Sequence, residues 1–204
     1  MKFKAIENAG DTEKLKDVSV MAIDVGFAQK GNKSCGIATN TGSKKQTAQR
    51  LSHAECVKGI VNWLRTNGDA VVILEAPLSV AFSNDNPCPR GEFEQLRHEG
   101  KVIQTRYWYS GPGACVTLGA MNILRHLHQT LKKENLTVHL AEGFVSFGSN
   151  LDHHQVAESL RDCFLGERES RWKTITEGNR SQSLLQFAGI ANQRSIPGII
   201  IPIP

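Results

Sequence analysis

The sequence predicts an α/β protein built on a mixed sheet with helices on both faces. Three observations carry that expectation. β-branched, apolar runs of strand length stand at 18–24, 34–40, 70–76 and 136–142, with a weaker one at about 44–51. Three other segments repeat apolar residues at helical spacing. The order is strand, strand, strand, helix, strand, helix, strand, helix: hairpin succession first, then alternation. That order brings antiparallel and parallel pairs into one sheet.

Residues 1–17 read as a loose polar leader. Val-Ser-Val-Met-Ala-Ile-Asp, 18–24, is an apolar strand ending in the carboxylate of Asp24. A turn spans Gly26 to Lys33, a second strand covers 34–40, and Thr41-Gly42-Ser43 turns into the weak third strand. Ser52 and Glu55 form a capping box for a helix whose Ala54, Val57, Ile60, Val61 and Leu64 share one face, and Asn67-Gly68 stops it. The strand 70–76 is closed by Pro77, and an irregular insertion fills about 77–112. A helix over about 113–133 follows, with Val116, Ala120, Ile123, Leu124, Leu127 and Leu131 in periodic positions. After the strand 136–142, Asp152 and Gln155 make a second capping-box-like start for a helix running to Gly166. The organisation expected is a leader (1–17), one domain (18–166) and a C-terminal extension (167–204). The final Pro-Gly-Ile-Ile-Ile-Pro-Ile-Pro is too apolar for a free solvated end, so it either joins a sheet edge or packs on another chain.

Composition narrows the class. The chain has 204 residues, 40% hydrophobic and 22% charged, enough for an ordinary core. No apolar run approaches the roughly 18 residues of a membrane span, and the first residues do not resemble a secretory signal. Five cysteines, an odd number with no Cys-x-x-Cys pair, argue against a disulfide scaffold or a zinc ribbon and for reduced thiols in the cytoplasm. The net charge of +4 is mild, but it is unevenly spread. Val25–Leu51 and Lys101–Lys133 each hold five basic residues and no acid. Such stretches are either solvated faces or walls beside a polyanion.

The acids carry the chemistry. Asp24 and Glu75 each end an apolar strand, where a carboxylate is costly unless it is paired or coordinated. Asp24 could instead cap the turn at Gly26, and Glu75 could pair with a nearby cation. On the last helix Val156, Ala157, Leu160, Cys163 and Phe164 form the core face, which leaves Glu158 off it with Asp162 one turn on. Asp152 has two competing roles, N-cap and ligand. Glu142, ending its strand, is a reserve. His153 and His154 could orient a water or sit in an exposed turn. Arg106-Tyr107-Trp108-Tyr109 could stack bases or cover the core as an edge strand. Gly111-Pro112-Gly113 reads more readily as a plain turn than as a phosphate loop.

Taken together, Asp24, Gly26 and Cys35-Gly36-Ile37-Ala38, the Ile-Leu-Glu75-Ala-Pro-Leu-Ser strand end and Glu158-Ser159-Leu160 after Asp152-His-His resemble the ribonuclease H-like superfamily, RuvC-type resolvases and related nucleases in particular. The resemblance spans about 18–166. It implies a five-stranded mixed sheet in that superfamily's arrangement. It also implies a metal-dependent endonuclease that hydrolyses phosphodiester bonds of DNA or RNA with two Mg²⁺ or Mn²⁺ ions. Asp24 would bridge the ions, with Glu75, Glu158 and Asp152 around them. Lys30, Lys33, Lys101, Arg106 and Trp108 would meet the nucleic acid, and a homodimer would follow the resolvase pattern. The chain departs from the resolvase pattern at Gln155, where those enzymes carry an acid. Two other readings stand beside it: a catalytically inactive binding subunit of the same fold, and an actin- or sugar-kinase-like ATP-binding domain. The ATP-binding reading lacks the second phosphate loop.

Overall fold

The computed structural model of the chain describes residues 1–26, 32–42, 44–80, 111–145, 150–175, 182–190 and 195–203. Lys30, Lys101, Arg106, Trp108 and most of the 77–112 insertion lie outside them. The fold is α/β, built on one mixed sheet.

The strands are β1 (Lys2–Ala5), β2 (Ser19–Asp24), β3 (Cys35–Thr41), β4 (Lys44–Lys45), β5 (Gln49–Leu51), β6 (Ala70–Glu75), β7 (Ser79–Val80), β8 (Thr137–Gly143), β9 (Ser170–Lys173), β10 (Gln182–Ser183) and β11 (Ile199–Pro202). The helices are α1 (His53–Asn67), α2 (Gly111–Leu131), α3 (His153–Phe164) and the single turn α4 (Leu184–Phe187). Along the sheet the order is β4-β3-β2-β6-β8-β11-β9, with β5 also on β3 and β1 also on β8. β2, β6 and β8 run parallel, and β3 is antiparallel to β2.

Strand periodicity of two sorts the side chains between two cores. Met21, Ile23, Val72, Leu74, Val138 and Leu140 pack under α1 and α2 with Ile60, Leu64, Ile123, Leu124 and Leu127. Val20, Ala22, Val71, Ile73 and Ala141 face the other way, against Val156, Leu160 and Phe164 of α3. The same alternation carries Asp24 and Glu75 onto the α3 face and Glu142 onto the α2 face.

The boundaries expected at 17 and 166 are crossed by the sheet. Phe3 and Ile6 are buried, so Lys2–Ala5 is a strand parallel to β8, not a loose leader. A 3₁₀ helix follows at Ala9–Leu15 and buries Leu15. The apolar tail takes the sheet-edge alternative: β11 pairs parallel with β8 and antiparallel with β9. β1 and β11 lie end to end along β8, joined by Gly198 N–H donating to Ile6 O at 2.7 Å. Further into the extension, β10 pairs with β7, and Leu184 and Leu185 enter the α1/α2 core. The third strand is interrupted at 46–48, where the Gln46 carbonyl accepts from Arg161 instead of a strand partner. None of the described helices is long and apolar enough to cross a membrane.

Candidate functional site

Asp24 is the last residue of β2 and Glu75 the last of β6. The two are register partners across the parallel pair, so both carboxylates leave the same sheet end on the same face. On the other side of β2, Asp24 is opposite Gly36 of β3. A Cβ built on Gly36 would lie 1.8 Å from the backbone oxygen of His153. Only glycine lets the first turn of α3 rest directly on β3, and that contact delivers His153 to Asp24. Its Nδ1 is 2.7 Å from Asp24 Oδ2.

Electrostatics at this contact are asymmetric. Asp24 is 8% exposed, and burial pushes its carboxyl above the ordinary value while His153 pulls it back. The hydrogen bond to Asp24 raises the His153 imidazole, against partial desolvation. Glu75 Oε1 accepts from Val145 N–H at 3.4 Å.

Asp152 is the N-cap of α3, and Gln155 Oε1 accepts its N–H at 2.9 Å, completing the expected capping box. Its side chain is largely exposed and 3.9 Å from Arg50 Nη1. Glu158 is not brought to Asp24. It pairs with Arg161 Nη2 at 3.2 Å, five residues and roughly 7.5 Å along the helix from His153. Asp162 pairs with Arg161 at 2.9 Å and Lys45 at 3.1 Å. Buried Arg161 also donates to the carbonyls of Gln46 and Thr39. Lys33 is exposed, and its carbonyl accepts from Arg50 at 3.2 and 3.1 Å.

Two further groupings stand apart from Asp24: the reserve acid Glu142, and a cluster whose residues sequence reasoning did not bring together. Glu142, 1% exposed, accepts Leu78 N–H at 2.8 Å. Under β3, Cys35, His53, Cys56 and Asn122 meet. Cys35 Sγ lies 3.1 Å from Gly26 O and 4.0 Å from His53 Nδ1. His53 Nε2 is 3.0 Å from Asn122 Oδ1. The Cys56 thiol bonds to Cys35 and lowers its pKa to about 5, while Cys56 itself is raised; the Cys35 contact in turn raises His53. The four residues come from three elements, so sequence spacing carried no signal for them. For Gly36 a signal existed: a glycine inside an apolar strand marks close backbone approach.

No family model, curated protein or solved structure matches the chain. Among the described residues no three His, Cys, Asp or Glu side chains form a group that could hold a metal ion.

Proposed function

We propose that the protein is a metal-dependent nuclease of the ribonuclease H-like type, hydrolysing phosphodiester bonds in DNA or RNA. One observation carries the reading: Asp24 and Glu75 end neighbouring parallel strands in register, and His153 from α3 meets Asp24. The strand order supports it. Taking 44–51 as one interrupted strand, the central five run third, second, first, fourth, fifth, with the first three antiparallel and the last two parallel to the first.

The donor set fits a hard divalent cation. Asp24 and Glu75 supply carboxylate oxygens, the ligand type Mg²⁺ and Mn²⁺ take, and Asp24 is buried with a half-exposed imidazole as its partner. Such an ion, when bound, polarises a phosphoryl oxygen and lowers the pKa of water. The chain's own groups do the rest. Asp24 and Glu75 would hold the ion, Gly36 lets α3 sit close, and His153 is within hydrogen-bond reach of Asp24 to hold or relay a proton. Asp152 is a cap that can also act as an outer ligand. Two ions in the superfamily manner need a further acid, and Glu158 reaches that role only by leaving Arg161. Lys33, together with Lys30, Lys101, Arg106 and Trp108 from outside the described residues, would meet the nucleic acid. A cytoplasmic location and a homodimer belong to the same proposal.

The test is cleavage of supercoiled plasmid, single-stranded DNA and RNA in Mg²⁺ or Mn²⁺. Wild type should cut, while Asp24→Asn and Glu75→Gln should not, with melting temperatures close to wild type. Cleavage by Asp24→Asn at the wild-type rate sinks the reading. Binding should weaken with salt at a log–log slope of about −4 to −5 if five phosphates are contacted. The Arg161–Glu158 pair favours a second reading, a binding subunit without catalysis. Salt-dependent binding with no cleavage in either metal would select it.

A further inference from the structure

The ends of β6 and β8 are tied together in a reciprocal way. Glu75 of β6 accepts a hydrogen bond from Val145, in the segment leaving β8. Glu142 of β8 accepts one from Leu78, in the segment leaving β6. Each carboxylate holds the other strand's exit. The two bonds differ in quality: the Leu78 bond is 2.8 Å and buried, the Val145 bond 3.4 Å and only partly buried. The Glu142 side is the stronger half of the clasp.

Glu142 is an unusual residue for its position. It stands in a central strand, on the face with Val138 and Leu140, and is 1% exposed. A carboxylate there is desolvated at considerable cost unless it does something an apolar residue cannot. What it does is catch the first backbone donor after Pro77, which has no N–H of its own. That turns Ala76, Leu78, Ser79 and Val80 inward, where all four are buried. Glu75 is the residue at which this turn begins. A cavity of about 10 Å³, the size of one water, lies where Glu75, Glu142, Gly143, Phe144, Gly113 and Val116 meet.

We propose that Glu142 is the positioning residue for Glu75: it acts by geometry, through Leu78, to aim the Glu75 carboxylate beside Asp24. The proposal rests on the metal-site reading for its purpose and on the clasp for its geometry, and the two are separable by experiment.

Two variants divide reach from charge. Glu142→Gln keeps an oxygen at the same reach and loses the charge. Glu142→Asp keeps the charge and falls one methylene short of Leu78. In the metal-free full chain, the Glu75 carboxylate carbon resonance and the hydrogen exchange of the Leu78 and Val145 amides are followed by NMR. Glu142→Asp should shift the Glu75 resonance and speed exchange at both amides, while Glu142→Gln should leave all three close to wild type. Mn²⁺ titration should then show affinity about 10–100-fold weaker in Glu142→Asp, the range for lost outer-shell support, and nearly unchanged in Glu142→Gln. Unchanged Glu75 and Val145 signals in both variants would overturn the proposal and leave Glu142 a structural anchor. The reverse ranking, with Glu142→Gln perturbed and Glu142→Asp not, would overturn it in favour of a charge role. Wild type that binds no Mn²⁺ would remove the metal reading alone, because the metal-free signals still decide whether Glu142 positions Glu75.

Discussion

The two ends of α3 meet the sheet in opposite ways. At its C-terminal half, Arg161 is buried and satisfied on every side, by Glu158, Asp162 and the carbonyls of Thr39 and Gln46. Lys45 extends the network to Asp162 and Glu167. At its N-terminus, one buried carboxylate meets one half-exposed imidazole, with a second carboxylate on the next strand. The first arrangement interleaves two cations with three acids and engages every nitrogen of the guanidinium. The second brings two strand-end carboxylates and the His153 imidazole to one sheet end. A saturated network holds a helix in place; a buried carboxylate with a shifted pKa beside an imidazole is where a proton can be held or moved.

That contrast can be broken at either end. Arg161→Met should have the largest effect on stability, about 3 kcal/mol in urea unfolding, because it removes a buried guanidinium that bridges Glu158 and Asp162 to the carbonyls of Thr39 and Gln46. Cleavage per folded molecule should survive it. Gly36→Ala should cost about 2 kcal/mol, since the methyl overlaps the His153 backbone and the helix start must move. Here activity should fall as well, by about 100-fold for a displacement near 1 Å. Equal activity losses in the two variants would erase the distinction between the ends.

Smaller effects sharpen it. Asp152→Ala should cost about 1 kcal/mol by loss of the cap, and Asp152→Ser much less, because serine caps too. If Asp152 is only a cap, cleavage survives both; if it is an outer ligand, Asp152→Ser keeps stability and loses cleavage, as a hydroxyl is a poor Mg²⁺ ligand beside a carboxylate. The smallest signal is at Cys35, next to Gly36. Far-ultraviolet thiolate absorbance should rise with a midpoint near pH 5, and Cys56→Ala should move that midpoint upward by removing the donor. Because this folded value lies below the ordinary one of 9.0, the associated stabilisation is absent below about pH 5 and grows as pH rises towards 9. A midpoint unchanged in Cys56→Ala would place the cause elsewhere.

Much of the architecture was legible from residue order alone. The capping boxes at Ser52 and Asp152 are where expected. The strands ending at Asp24 and Glu75 match to within a residue or two, because each is a continuous apolar run punctuated by Gly or Pro. The periodicity that separates the two cores was also present in the sequence. Local chemistry dictates such features, so a single segment suffices to see them. The leader misled because Phe3 and Ile6 are too few to signal a strand; β8 supplies the other half of its hydrogen bonds.

The site divides along the same line. That Asp24 and Glu75 end strands is written in their own segments. That they are neighbours depends on β2 and β6 pairing in parallel and in register, a contact between residues about fifty positions apart. Glu158 and His153 sit on one helix, and the family resemblance favoured the acid. In the tertiary structure Gly36 seats the helix by its first turn, so His153 meets Asp24, while Glu158 pairs with Arg161. Direction around a helix follows from sequence period, but which end of this helix meets which strand end is decided by the Gly36–His153 backbone contact, close enough to exclude a Cβ.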